Sequence, residues 1–388
     1  MAASLKLAGV RALVDGAMSA PTSIDIDGTN IAAIGGSASA QREIRADGLL
    51  ALPGIVDLHG DAFERQMMPR PGVYFREDLA LLDTDRQLVA NGVTTAYHGL
   101  TWSWEPGLRG SERAHAIADT LDRLRPRLAC DTRLHLRWET YNLDVVPTVL
   151  EWLEKGRIHL LAFNDHTPSM LKRGEDPVAV LKYVERAGVP VADFKALLRA
   201  VGERAGDVPG AIATLAAAAR ARGIPLASHD DKSPDMTRGF QALGCTLCEF
   251  PLTEDTARVG RQGNGHVLMG APNVVRGGSH LNLISAASMV RAGLCDVLTS
   301  DYYYAALPCA PFRLAREDRS DIAAYWPLVS TNPARAAGLN DRGLIASGQR
   351  ADIVLLDASD DSAPFVVATI VAGRLVHHDR RHEVAGHN

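Results

Sequence analysis

The middle of the chain alternates short apolar runs with longer amphipathic segments, and this rhythm occurs eight times. Such an alternation is typical of a parallel sheet whose strands are joined by helices. Eight βα units within residues 53–340 favour a closed (β/α)8 barrel, the TIM-barrel fold. The predicted strands are Gly54–Leu58, Val93–His98, Arg133–Trp138, His159–Phe163, Ile224–Ser228, Thr246–Phe250, His266–Met269 and Val297–Ser300.

Both ends of the chain carry strand patterns of a different kind. Residues 22–34 hold two short strand-like segments around a Gly-Thr-Asn turn, which predicts a hairpin. Residues 351–357 indicate a buried strand, and residues 366–376 indicate two strands around a glycine turn. Neither end holds enough apolar surface to fold alone. We therefore predict one small β-sandwich domain built from residues 1–52 and 341–388.

The composition excludes several classes of protein. The chain has 388 residues, 46% of them hydrophobic, and a net charge of −5, so it can build a large core and is not intrinsically disordered. The mild acidity argues against a nucleic-acid partner, and no apolar run is long enough for a membrane span. No signal peptide is recognised, and five scattered cysteines indicate a reducing compartment, so we expect a cytoplasmic protein. A homo-oligomer is left open.

Imidazoles and carboxylates stand at most of the predicted strand ends. In a barrel these ends meet at one rim, where the active site lies. So many acids packed together would repel one another unless a cation neutralised them. We expect one or two divalent metal ions, zinc with manganese or iron as alternatives, that activate water for attack on an electrophile. The predicted metal ligands are His59, Asp61, Glu139, Asp165, His166, His229 and Asp301.

Two positions carry the strongest predictions about catalysis. The spacing in His59-x-Asp61 puts both side chains on one side of a strand, here toward the barrel mouth, although a solvated turn is the alternative. Asp301 follows the last strand, where a carboxylate can bind metal weakly and take a proton from the attacking water. A helix N-cap is the alternative for this residue. We predict Asp301 as the general base and Asp230 as a second catalytic residue.

The segment after the seventh strand indicates an anion site. It combines a Gly-Gly pair with arginine and histidine, and loops after strands seven and eight of a barrel commonly bind phosphate. A plain glycine turn is the alternative. A stiff Pro-Arg-Pro-Gly turn and a lysine after the fifth strand would add positive charge. The predicted residues for binding a small phosphorylated substrate are Arg70, Lys232, Asn273, Arg276 and His280.

Long motifs resemble a known family. The segments LPGIVDLH, NPARAAGL and RADIVLLD resemble the amidohydrolase superfamily. Within it, DLHGDAFERQMMPRPGV, FNDHTP, ASHDD, MGAPNVVRGGSH and SDYYYAAL resemble the PhnM family of phosphonate metabolism over nearly the whole chain. The resemblance implies a phosphoric-anhydride hydrolase that releases diphosphate from α-D-ribose 1-methylphosphonate 5-triphosphate, or a closely related substrate, in the carbon–phosphorus lyase pathway.

The chain also departs from the wider superfamily. The first strand carries His-x-Asp where His-x-His is commoner, and no lysine ends the fourth strand. A carboxylated-lysine bridge between metals is therefore not expected, and Glu139 is the candidate bridging carboxylate. Two other functions stay open: hydrolysis of a C–N bond, as in a deacetylase or deaminase, and a metal-free scaffold role. The arginine and glycine content of the seventh loop argues against the first, because a neutral amide would not need it.

Overall fold

The structure is a computed structural model that describes residues 5–36, 39–173, 176–278 and 284–379. Its strands are β1 (Leu5–Val14), β2 (Ala17–Asp27), β3 (Asn30–Ile34), β4 (Arg42–Arg45), β5 (Leu50–Pro53), β6 (Ile55–Gly60), β7 (Val93–Trp102), β8 (Asp131–Glu139), β9 (Leu160–Asn164), β10 (Leu226–His229), β11 (Leu247–Glu249), β12 (His266–Gly270), β13 (Val297–Thr299), β14 (Ile353–Asp357), β15 (Phe365–Val371) and β16 (Arg374–His378). Its α-helices are α1 (Phe63–Met67), α2 (Glu77–Ala90), α3 (Ser111–Leu124), α4 (Val146–Glu154), α5 (Thr167–Arg173), α6 (Pro177–Ala187), α7 (Val191–Gly202), α8 (Val208–Arg220), α9 (Pro234–Ala242), α10 (Glu254–Gly260), α11 (Ala271–Arg276), α12 (Ala286–Arg291), α13 (Ala306–Asp318) and α14 (Thr331–Ala336).

Strands β6 to β13 form one sheet in which chain order is also spatial order. Every neighbouring pair is parallel, and a bridge between Gly60 and Asp301 brings the last strand beside the first. Helices lie between most of the strands, as the βα rhythm predicts. The TIM-barrel prediction is confirmed, and each predicted strand overlaps a strand of this sheet.

The interior of the barrel is filled at one level by small and branched apolar side chains. Leu58, Leu160, Ala227 and Leu247 belong to this buried cluster. Because side chains two residues apart on a strand point to the same side, the positions that follow this layer by two residues also face the barrel axis. The apolar plug therefore supports a layer of polar side chains at the C-terminal ends of the strands.

The remaining strands form the β-domain, in the order β16-β15-β14-β5-β1-β2-β3. Strand β1 pairs with β4 through Leu5–Ala8 and with β5 through Arg11 and Ala12, so the sheet branches along one edge of β1. It encloses its own apolar cluster, to which both chain ends contribute. The β-domain built from both termini is confirmed, and the hairpin expected over residues 22–34 is the β2–β3 pair. The domain boundaries at residues 52 and 341 stay a prediction.

A buried arginine joins the two domains. Arg342 donates hydrogen bonds to Asp131 Oδ2 on β8 (2.6 Å) and to Thr95 Oγ1 on β7 (2.8 Å). Its Nη1 also lies 3.9 Å from Asp352 Oδ2, and the two side chains are only 4% and 1% exposed. Burial raises the pKa of Asp352, and attraction to Arg350 and Arg342 opposes that rise. The guanidinium therefore compensates carboxylates from both sides of the domain junction.

Cys245 and Cys248 are free and buried. Among the described residues, no helix has the length and apolar character needed to cross a membrane.

Replacing Arg342 by methionine is expected to lower the free energy of unfolding by about 3–5 kcal/mol, because the change leaves buried carboxylates without their cation. Urea unfolding followed by circular dichroism measures this loss. The matched control is Arg258→Met, which removes an ion pair whose side chains are 60% and 58% exposed. That control is expected to stay within about 0.5 kcal/mol of the wild type. Equal losses in the two variants would contradict the role assigned to Arg342.

Candidate metal centre

The polar layer at the barrel mouth follows from the strand pattern below it. His229 comes two residues after Ala227 on β10, and Glu249 comes two residues after Leu247 on β11. Both polar side chains therefore extend the interior face of the apolar plug, and both are buried. His59 is equally buried near the end of β6. Neighbouring strand ends thus bring imidazoles and carboxylates together from distant parts of the chain.

Glu249 lies among three imidazoles. Its Oε1 is 3.0 Å from His59 Nδ1 and 3.7 Å from His135 Nε2, and its Oε2 is 3.0 Å from His229 Nδ1. The carboxylate is fully buried. Burial opposes its ionisation, but attraction to His59 and then to His135 outweighs burial and holds the pKa of Glu249 well below its usual range. A negative charge is therefore retained in the barrel interior.

Asp301 is held at the rim by the backbone of the first strand. Its N–H donates to the carbonyl of His59 (2.8 Å), and its own carbonyl accepts from the N–H of Asp61 (2.9 Å). Its φ of 53° lies in the left-handed region, which costs a non-glycine residue about 1 kcal/mol or more. Burial, and then repulsion from Asp61, raises the pKa of Asp301 to about 6.

The carboxylate of Asp57 supports Asp301 through the preceding residue, Ser300. Asp57 accepts hydrogen bonds from Ser300 Oγ (2.5 Å) and from the backbone N–H of Ser300 (3.0 Å). Asp57 is fully buried, on the strand that also carries His59. The bonds to Ser300 hold the residue directly before Asp301, so the left-handed backbone of Asp301 is fixed by its surroundings.

His166 joins two acids on the other side of the mouth. Its Nδ1 lies 2.6 Å from Glu139 Oε1, and its Nε2 lies 3.4 Å from Asp230 Oδ2. Burial favours the neutral ring, but attraction to Glu139 outweighs burial and raises the pKa of His166 to about 9. Burial likewise opposes ionisation of Asp230, yet attraction to His229 and the bond to His166 lower its pKa to about 2.

These side chains form three overlapping groups that could hold a metal ion. In each group the candidate ligand atoms all lie within 4.8 Å of one another. His59 and His229 each belong to two of the groups, and their stacked rings are 5.4 Å apart. The three groups are His59, Asp61 and Asp301; His166, His229 and Asp230; and His59, His229 and Glu249.

The donor set fits a divalent metal. Imidazole nitrogens and carboxylate oxygens without thiolates suit zinc, manganese or iron. Among the described residues, the buried atoms His59 Nδ1, His135 Nε2 and Glu249 Oε1 have no hydrogen-bond partner in good geometry. Buried polar atoms without a partner are costly, and a bound cation would satisfy the lone pairs gathered here.

Arg137 is a site residue that the sequence analysis missed. Its Nη1 donates to Asp61 Oδ2 (2.9 Å), and its Nη2 lies 3.2 Å from His229 Nε2. The guanidinium thus contacts Asp61 of one candidate metal group and His229, which belongs to the other two. The available signal was its spacing: Arg137 stands two residues after His135 and two before Glu139, so all three share one side of β8.

A cavity of about 470 Å³ opens above these groups. Its wall includes His59, His166, His229, Asp230 and Asp301. It also includes four cationic side chains, which come from four different structural elements and which favour an anionic ligand. The four cations are Arg109, Arg137, Lys182 and Arg276.

Sequence comparison identifies the family. A profile described as the amidohydrolase family matches residues 86–377. The chain belongs to the amidohydrolase family. An Escherichia coli strain K12 protein, alpha-D-ribose 1-methylphosphonate 5-triphosphate diphosphatase, is 31% identical to it over 350 residues, which cover 87% of this chain and 92% of that relative. The resemblance to the superfamily and to its phosphonate-metabolism members is confirmed.

Other relatives and structural neighbours are named for different reactions. An adenine deaminase from Methylobacterium nodulans is 26% identical over 370 residues, which cover 91% of this chain and 54% of that relative. Among solved structures, a variant of N-acetyl-D-glucosamine-6-phosphate deacetylase from Mycobacterium smegmatis superposes with a TM-score of 0.61 at 19% identity, covering 97% of this chain and 99% of that one. At this identity the likeness shows the fold alone.

Not every predicted metal ligand of this amidohydrolase lies in a candidate metal group. His59, Asp61, His166, His229 and Asp301 do, and so does the predicted catalytic residue Asp230. Glu139 instead contacts His166, and Asp165 accepts a hydrogen bond from Thr140 Oγ1 (3.1 Å). The bridging role assigned to Glu139 stays a prediction.

The predicted substrate-binding residues are also divided. Asn273 and Arg276 line the cavity. Arg70 is exposed, and its backbone forms an isolated β-bridge with Val73. Lys232 Nζ lies 3.4 Å from the carbonyl of Asp165, and neither residue belongs to the described cavity wall. His280 lies outside the described residues.

In metal-free protein, His166 is expected to stabilise the fold fully below pH 6.5 and to lose that contribution as the pH rises through about 9. The sign follows because its pKa is higher in the folded than in the unfolded state. The measurement is the difference in unfolding free energy between wild type and His166→Gln, taken near pH 6 and again above pH 9. A difference of the same size at both pH values would refute the interpretation.

Proposed function

We propose that this amidohydrolase is a metal-dependent diphosphatase. Its substrate is α-D-ribose 1-methylphosphonate 5-triphosphate or a closely related ribosyl phosphonate triphosphate, and its product is diphosphate. The observation that carries the proposal is the meeting of metal-binding groups and four cationic side chains in one cavity. A triphosphate brings several negative charges that need such cations, whereas a neutral amide does not. The name of the Escherichia coli relative supports the same substrate.

The cofactor of the proposed enzyme is one or two divalent ions, zinc with manganese or iron as alternatives. His59, Asp61 and Asp301 would hold one ion, and His166, His229 and Asp230 would hold a second. Such an ion supplies a water molecule of lowered pKa and neutralises charge that develops on the phosphoryl oxygens.

The protein's own residues account for the remaining steps. Asp301 lies on the cavity wall, and its carboxylate takes the proton of the attacking water. Arg276 lies on the wall where the polyphosphate would bind. Asn273 fixes that wall, because its amide donates to the carbonyl of Ile284 (3.3 Å) and accepts from the N–H of Ala286 (2.9 Å).

Deamination is the second candidate function, since relatives named adenine deaminase match most of this chain. Purified protein loaded with zinc would be given the ribosyl phosphonate triphosphate in one assay and adenine in another. The diphosphatase proposal expects diphosphate in the first assay and no ammonia in the second. Ammonia release without diphosphate release would overturn it in favour of deamination. If neither diphosphate nor ammonia is released, and the protein retains no stoichiometric zinc after loading, a scaffold role would be favoured.

Asp301→Asn is expected to lower kcat by about 10²–10⁴-fold, because the amide cannot accept the proton of water. Released diphosphate measures the rate, and circular dichroism checks that the fold is kept. The matched control is Asp235→Asn, whose side chain is 93% exposed and pairs with Arg238 outside the cavity. That control is expected to retain the wild-type rate. A near-normal rate in Asp301→Asn would remove the residue from the mechanism.

Removing the metal with a chelator is expected to abolish diphosphate release, and zinc is expected to restore it. Glu249→Gln should weaken metal retention by about 10–100-fold, because it removes the negative charge between His59 and His229. Elemental analysis of dialysed protein measures the bound metal. Full activity in protein shown to be free of metal would contradict the proposed cofactor.

A further inference from the structure

The fourth βα unit carries an extra group of helices. Between β9 and α8 the chain forms α5, α6 and α7, which share an apolar cluster of their own. Met170, Val180 and Phe194 are buried in this cluster, and Trp104 from the loop after β7 packs against it. The indole of Trp104 also donates to Thr167 Oγ1 (2.9 Å). The three helices are therefore packed against the rim of the barrel mouth.

A buried ion pair fixes α6 to the loop after β7. Arg186 Nε lies 2.5 Å from Glu105 Oε1, and Glu105 is fully buried. Gly107 permits this close approach: its φ is +77°, and a Cβ at this position would lie 2.5 Å from the carbonyl of Arg186 and 2.7 Å from that of Ala187. The end of α6 and this loop are thus held in one arrangement.

Both segments place a cation in the cavity wall. Lys182 stands one helical turn before Arg186, and its Nζ lies 4.8 Å from the centre of the Tyr183 ring. Among the described residues, no carboxylate pairs with Lys182. Arg109 comes from the same loop as Glu105. Its Nε (3.0 Å) and Nη2 (2.8 Å) donate to the carboxylate of Glu64, so Nη1 of Arg109 takes no part in this ion pair.

Topology separates these two cations from the predicted polyphosphate wall. Arg109 follows the second strand of the barrel and Lys182 follows the fourth, whereas Arg276 follows the seventh. In a closed barrel of eight strands, the seventh strand lies opposite the third. The candidate metal groups therefore lie between two separate cationic walls.

We propose that Lys182 and Arg109 form a second anion subsite, which binds the phosphonate at C1 of the substrate. The inference rests on the proposed function, which places the scissile anhydride at the metal groups. A ribosyl phosphonate triphosphate carries anionic groups at both ends, so a substrate centred on the metal groups reaches both walls. Lys182 then selects ribosyl ligands with an anion at C1, and Glu105, Arg186 and Gly107 act as positioning residues.

The test uses two ligands that differ only in the phosphonate: α-D-ribose 1-methylphosphonate 5-phosphate and ribose 5-phosphate. Calorimetry on zinc-loaded protein gives the ratio of their dissociation constants. The wild type is expected to bind the phosphonate ligand about ten- to a hundredfold more tightly, as one or two charge-assisted contacts allow. Lys182→Met is expected to bring the ratio near one, and Lys182→Arg to restore part of it. Lys172→Met, on α5 and outside the described cavity wall, is the matched control and keeps the wild-type ratio.

The positioning residues are tested without touching either cation. Gly107→Ala places a methyl group against the carbonyls of Arg186 and Ala187, so α6 has to shift. The same ratio is expected to fall in this variant, while circular dichroism shows the fold retained. A general loss of stability would weaken both ligands alike and leave the ratio unchanged, which would count against positioning.

Each outcome decides a separate claim. A wild type that does not distinguish the two ligands overturns the subsite, and a ratio that survives Lys182→Met removes Lys182 from it. Weaker binding of inorganic diphosphate by Lys182→Met, with the ratio intact, would assign this wall to the polyphosphate instead. If the ratio behaves as expected but no diphosphate is released in turnover assays, the proposed function fails and the anion subsite stands.

Discussion

The compensation of buried negative charge is the constraint on which the rest of the barrel mouth depends. Glu249 is fully buried and stays ionised only because three imidazoles surround it. Asp61 and Asp301 repel each other at the rim, and Arg137 compensates part of this charge through Asp61. Such an arrangement is costly for a protein that uses it only for stability, since well-packed apolar residues would serve as well. The presence of these buried charges at several strand ends therefore indicates a functional role rather than a structural one.

Much of the fold could be predicted because its signals are local. The strands of the barrel are short apolar runs, and the order of the βα units leaves few topologies to consider. The candidate ligands could also be predicted, because parallel strands bring their C-terminal ends to one rim. The site residues that could not be predicted are those whose role depends on tertiary contacts. Arg137 lies inside a strand rather than after it, and Lys182 reaches the cavity from an inserted helix. The stiff Pro-Arg-Pro-Gly turn around Arg70 does not indicate how far this residue lies from the cavity.

The division of labour between scaffold and loops explains how one family supports several reactions. The solved deacetylase structure shares this fold, and a relative named adenine deaminase matches most of this chain in sequence. Among the cations of the cavity wall, Arg137 lies on a barrel strand, whereas Arg109, Lys182 and Arg276 come from segments that connect the strands. A change of substrate therefore requires new loops rather than a new barrel, as is general for this architecture.

The bridge between Gly60 and Asp301 has a consequence for how the molecule assembles. The backbone contact that seals the sheet into a cylinder is made by the same residue that contributes a carboxylate to the rim. A partly folded chain whose first and last strands have not yet met would lack that carboxylate's position, and with it the candidate metal group of His59, Asp61 and Asp301. An ion held by this group would therefore bind only after the barrel has closed, and its binding would favour the closed topology over open intermediates.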